Sequence, residues 1–180
     1  MIRCLLIVMV TSTALLAADD PFLSLYPLHT PGNIVLDQSF EGEWDWGITV
    51  SREGTLGYRV STSGSETLTA HLVSLDGELF VDVEWSEPLP VHVFAKVRIE
   101  KDRLVVAPLG TRELTDRLDR EELAKHETIT NPDNGEIEGV LLTASGSELQ
   151  HFVRRCLADP EAFQKPLGLS RKEPASDRTQ

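Results

Sequence analysis

From Trp44 onward the chain alternates between apolar and polar residues with a period of two. Trp44, Trp46, Ile48 and Val50 fall on one face, and Glu43, Asp45, Gly47 and Thr49 on the other. That is the pattern of a half-buried strand. Ser51 to Thr55 reads as a charged turn, after which Tyr58, Val60 and Thr62 alternate as far as a break at Ser63-Gly64-Ser65. A further strand is predicted over Leu68 to Leu75, closed by Asp76-Gly77, a dipeptide that tolerates the positive φ of a type I′ hairpin turn. Leu79, Val81, Val83 and Trp85 then alternate with Phe80, Asp82 and Glu84. Beyond Pro88-Leu89-Pro90, Val91, Val93, Ala95, Val97 and Ile99 alternate with His92, Phe94, Lys96 and Arg98. Lys101-Asp102 is a tight connection into a strand from Arg103 to Ala107. Short β-branched runs with turns at this spacing predict an all-β fold, and consecutive hairpins favour a small antiparallel meander barrel, because closure leaves no bare sheet edge.

The period changes twice. Thr111 to Lys125 is charged, with Leu114, Leu118 and Leu123 as apolar contacts, and predicts a short helical insertion on the surface. Asn131 to Gly135 is a loop, and Gly139 to Thr143 a strand apolar on both faces. The last element is helical. Ser145-Gly146-Ser147-Glu148 is a capping-box sequence, Leu149, Phe152, Val153, Cys156 and Leu157 follow helical spacing, and Asp159-Pro160 stops the run. A single apolar stripe makes this a C-terminal amphipathic helix packed on the sheet.

The ends read differently. Met1-Ile2-Arg3, a short apolar run and small residues up to Ala18 have the layout of a secretory signal peptide, too short for a bilayer span of ~20 residues. Cys4 precedes the apolar run, whereas a lipoprotein cysteine would follow it. The expected organisation is a signal peptide over 1–18, an extended Pro-rich arm over 19–37, the barrel domain with its helix over 38–163, and a disordered tail over 164–180. In the arm, Pro21, Pro27 and Pro31 discourage a regular element. Ile34-Val35-Leu36 is a candidate turn over an open barrel end.

Without the signal, Cys156 is the one remaining cysteine, so no internal disulfide is expected and the domain must hold itself together by its core. About 160 residues suffice to bury ~70% of the unfolded surface. Cys156 lies on the apolar face of the helix and reads as a small buried hydrophobe. The formal net charge of −12 disfavours nucleic acid and anionic lipid as partners. It also serves solubility. With no Asn-x-Ser/Thr acceptor and no disulfide, bacterial export to the periplasm or the medium is the expected localisation, with no transmembrane segment after signal cleavage.

Gly42-Glu43-Trp44 early in the mature chain, a strand meander and one late amphipathic helix together resemble the lipocalins and the wider calycin group, over roughly residues 37–163. The chain is also similar to exported bacterial proteins of lipocalin-like type whose function is uncharacterised. In the family, the tryptophan of Gly-x-Trp sits at the closed end of the barrel and the late helix packs on its wall. An arginine at the end of the last strand packs across that tryptophan, and Gly139 to Ala144 contains none. The resemblance implies a ligand cavity inside a barrel and supplies no activity.

Catalytic and metal motifs are absent as sequence patterns. None of His29, His71, His92, His126 and His151 pairs with another at the spacing of a helical zinc site, and no nucleophile elbow or phosphate loop occurs. No metal, cofactor or enzymatic activity is therefore expected. One polar cluster can be drawn: His71, Asp82 and His92, with Glu84, could meet across one sheet face and bind a metal or orient a ligand. The same residues also read as the solvent side of a barrel wall, continued by Lys96 and Arg98. Trp44, Trp46, Tyr58 and Trp85 are candidate ligand-lining residues, although aromatics also fill narrow barrels. Two functions stay open: a lipocalin-like carrier of a small apolar ligand, and a cell-envelope protein-binding or structural module without one.

Overall fold

The computed structural model of the chain describes residues 22–62, 67–86, 90–110, 118 and 125–172. The predicted signal peptide lies outside them. So does the predicted helical insertion, apart from Lys125 and from Leu118, which is helical and buried.

A meander of antiparallel strands forms the centre: β3 (Gly42–Trp44), β4 (Ile48–Glu53), β5 (Gly57–Ser61), β6 (Thr67–Leu75), β7 (Glu78–Trp85), β8 (Val91–Glu100) and β9 (Arg103–Pro108). Asp76 and Gly77 have φ of 51° and 85°, as the hairpin signal between β6 and β7 requires. Five further strands are added: β1 (Phe22–Ser24), β2 (Ile34–Val35), β10 (His126–Thr130), β11 (Ile137–Leu142) and β12 (Leu167–Ser170). The twelve form one mixed sheet, so the all-β class holds. β8 has two partners on one side: His92 pairs with Ser24 of β1, while Ala95 to Glu100 pair with β9. β1 runs parallel to β11, and β10 completes that edge.

Four expectations change. The alternating run Trp44 to Val50 is two strands, not one, because residues 45–47 form a turn with Trp46 at φ 61°. Within the expected turn Ser51 to Thr55, Ser51 to Glu53 is strand, and the chain reverses at Gly54, whose φ is 60°. The expected disordered tail contains β12, which pairs with β9 from Leu167↔Val106 to Ser170↔Arg103. Beyond β12, Arg171 bridges to Trp44 and the Lys172 amide donates to the Glu43 carbonyl at 2.8 Å. In the arm, where no regular element is expected, Phe22–Ser24 is strand β1 paired with β11, and Ile34-Val35, expected as a turn, pairs with Val73 and Leu72 of β6.

Alternation sorts the sheet's side chains into two apolar layers. One contains Trp44, Ile48, Val50, Tyr58, Val60, Ala70, Leu72, Val81, Val83, Ala95, Val97 and Leu169. On the other face, Val73, Leu75, Phe80 and Phe94 meet Phe22, Val140, Leu142 and the helix α1 (Gly146–Leu157). α1 buries Leu149, Phe152, Val153 and Cys156, and its capping box of Ser145 and Glu148 is formed. Burying these side chains contributes roughly 1.5–3 kcal/mol each for the larger ones. The face covered by α1 and the arm carries the polar residues of β6, β7 and β8 too.

Candidate functional site: a buried aspartate between histidines

The β6–β7 register sets His71 opposite Asp82, and the β7–β8 register sets His92 opposite Glu84. All four therefore share the face carrying Val73, Phe80 and Phe94. That face is not open to water here. The N-terminal arm crosses it at Leu28 and His29, and Asp82 is fully buried, with His92 nearly so. Burial by the arm replaces the solvent-facing reading of this cluster.

Asp82 is the hub. Its Oδ2 accepts the backbone amides of Leu28 at 2.8 Å and His29 at 3.1 Å, and the His29 ring Nδ1 at 2.7 Å. Its Oδ1 accepts His92 Nδ1 at 2.9 Å. The arm is fastened from above as well, since Gln150 of α1 donates to the Leu28 carbonyl at 3.0 Å. Burial alone pushes the Asp82 carboxyl up. The ring donors of His29 and then His92, with the positive charge those rings can carry, outweigh it and hold the group at about 2. An ionised carboxylate can only accept, so both Nδ1 atoms carry the shared protons.

His71 completes the cluster from a different direction. Its ring stacks on His29 with centroids 3.9 Å apart. Among the described residues, its buried Nδ1 has no hydrogen-bond partner. Burial, followed by the neighbouring His29, lowers its pKa against the opposing pull of Asp82 and Glu84. Chemically, the arrangement offers ring nitrogens and a carboxylate: the ligand atoms of His29, Asp82 and His92 all lie within 4.8 Å of one another. Ser24, the residue paired with His92, is buried, and its hydroxyl donates to the Tyr26 carbonyl at 2.7 Å. It is thus committed to a local turn and not to His92.

The structure brings together Asp82 and His92 by hydrogen bonding and His71 by register and stacking. His29 was missed. No spacing relates it to the strands, and only the path of the arm brings it there.

The candidate ligand-lining aromatics are placed as follows. Trp44 and Tyr58 are fully buried in the layer opposite the histidines. Trp44 donates to the Phe40 carbonyl at 3.2 Å, and Tyr58 packs edge-on against Phe40 with centroids 5.0 Å apart. The Tyr58 hydroxyl accepts the Asp37 amide at 2.7 Å, and burial raises its pKa over the lowering pull of Asp37 and Arg52. Trp85 is buried, whereas Trp46 is 50% exposed in its turn. A groove of about 690 Å³ lies elsewhere, between β7–β9 and the end of α1. Leu79, Val97, Ile99, Val105, Ala107, Leu157 and Phe163 give it an apolar lining, with Glu78, Lys96 and Arg98 also bordering it. None of the four aromatics borders it.

Compared with family models, curated proteins and solved structures, the chain matches none.

Proposed function

We propose that this chain is an exported, non-catalytic module of calycin type, a closed barrel that carries a small apolar ligand. The observation that carries the ligand reading is the groove, whose volume of about 690 Å³ lies within the range of small-molecule sites. Closure of the barrel is supported between β3 and the residues that end and follow β12, the strand added to β9. There Arg171 lies over the Trp44 ring at 4.3 Å, and the Ser170 amide donates to Asp45 Oδ2 at 2.8 Å. An arginine crossing the Gly-x-Trp tryptophan is the feature the calycin resemblance calls for, supplied here from beyond the expected domain end.

The test is native mass spectrometry and calorimetric titration with a panel of fatty acids and isoprenoids. One ligand should bind per chain, and Ala107→Trp, which fills the groove, should weaken it at least tenfold. A panel with no binder, or a binder indifferent to Ala107→Trp, sinks the carrier reading.

Trp46 favours the second reading, a protein-binding envelope module. A half-exposed tryptophan held at φ 61° is backbone strain of the kind found at functional positions. Trp46→Gly should leave the fold intact and abolish capture of an envelope partner, and unaffected capture would count against that surface.

A further inference from the structure

We propose that His29, Asp82 and His92 bind one divalent transition-metal ion of the zinc class, which clamps the N-terminal arm onto the sheet. The three side chains come from three separate segments, the arm, β7 and β8, and their ligand atoms already lie within 4.8 Å of one another. The two histidine Nδ1 atoms stand 2.7 and 2.9 Å from the Asp82 oxygens. Ligands bonded at ~2.1 Å around one ion sit ~3.0–3.4 Å from each other, so each histidine–Asp82 spacing would widen by a few tenths of an ångström on binding. Two imidazoles and a carboxylate are a donor set that suits zinc and ferrous iron and leaves coordination positions open for water.

Two further observations favour a cation there. Among the described residues, the only ion-pair partners of Asp82 are the two histidines, with no Lys or Arg in reach. Imidazole and amide donors satisfy its oxygens, but none of them is a permanent cation. A divalent ion supplies the countercharge. The second observation is His71, whose ring stacks on His29 and whose buried Nδ1 lacks a hydrogen-bond partner among the described residues. Its ring flanks His29, one of the three ligands, without belonging to the group whose ligand atoms lie within 4.8 Å.

The surroundings fit an outer shell. The Leu28 and His29 amides fix Oδ2, as hydrogen bonds to metal-bound carboxylates do. On binding, each neutral ring offers its Nδ1 lone pair and carries its proton on Nε2 instead, while a protonated ring releases one proton. Affinity therefore falls as the pH is lowered. Ligands from the arm and the sheet make the ion a cross-link between them.

The experiment is a titration of the EDTA-stripped chain with Zn²⁺ by calorimetry and with Co²⁺ by visible absorption. One equivalent should bind with a Kd below about 1 μM, giving d–d bands from nitrogen and oxygen ligands. His29→Gln and His92→Gln should each weaken binding at least 100-fold, while His151→Gln on the exposed side of α1 should not change it. His29 lies at the rim with its side chain 20% exposed, and circular dichroism of the metal-free variant shows whether the fold is kept. Zn²⁺ should raise the melting temperature of the parent chain and leave that of His29→Gln unmoved. A parent chain that binds Zn²⁺ no tighter than about 100 μM overturns the site. So does binding that survives both histidine substitutions.

Discussion

At the level of single residues, Gly42 is where the Gly-x-Trp motif acquires a physical reason. Its φ is 139°, and a Cβ there would collide with the Arg171 guanidinium. That guanidinium donates to the Ser39 and Glu41 carbonyls and lies over Trp44. Gly42→Ala should therefore carry a backbone cost of ~1 kcal/mol plus the displacement of Arg171, ~2–4 kcal/mol in all. Arg171→Ala should cost ~2–3 kcal/mol through its lost hydrogen bonds and cation–π contact. Urea unfolding of the double variant checks the coupling: with Arg171 gone, Gly42→Ala should cost only its backbone share. Fully additive costs would refute the collision. Asp82→Asn places an amide among four N–H donors, and loses ~3–5 kcal/mol as a broken buried charge cluster does. A loss below ~1 kcal/mol would show that Asp82 is dispensable to the arm.

Elements show why some strands could be read from alternation and others could not. Trp44 pairs with Ile48, an even number of positions away, so the side-chain parity passes through the turn unbroken and two strands look like one. Leu75 pairs with Glu78, an odd number away, so parity flips at Asp76-Gly77 and the hairpin shows itself. β12 is four residues, Leu-Gly-Leu-Ser, too short for a period and weakened by glycine. Its stability comes from β9 and from the bridge to Trp44. Removing everything after Pro166 should thus expose two strand edges and abolish cooperative unfolding, which a denaturant titration would reveal. A truncated chain that melts like the parent would make β12 an ornament. α1 needs no such context: Ser145→Ala should cost ~1 kcal/mol, read as a lower melting temperature.

For the whole molecule, the buried cluster makes stability depend on acid. Asp82 is depressed from 3.8 to about 2, so its contribution is full above its unfolded pKa and is lost as pH falls from about 4 towards 2. The depression corresponds to ~2 kcal/mol. His71 is lowered from 6.5, so the unfolded chain binds its proton first and stability begins to fall below that pH. Both act in one direction. The net charge of −12 acts in the other, because acid relieves self-repulsion, so the difference between the parent and Asp82→Asn is the quantity to measure. Urea unfolding at pH 8, 6, 4 and 3 should show that difference shrinking in acid. A difference independent of pH would mean that Asp82 is not ionised in the folded chain.

Local pattern was enough for what depends on neighbours in the chain. Alternation placed β6, β7 and β8, the turn residues placed Asp76-Gly77, and Ser145 with Glu148 placed the start of α1, since each rests on propensity and short-range hydrogen bonds. It also put His71, Asp82 and His92 on one face, because strand parity is a local property. Which side of the sheet is covered is not local. The arm's path over Asp82, the arrival of His29, and the docking of β12 with Arg171 on Trp44 join residues far apart in the chain. Such contacts are selected by the shape and charge of surfaces that exist only once the sheet has formed.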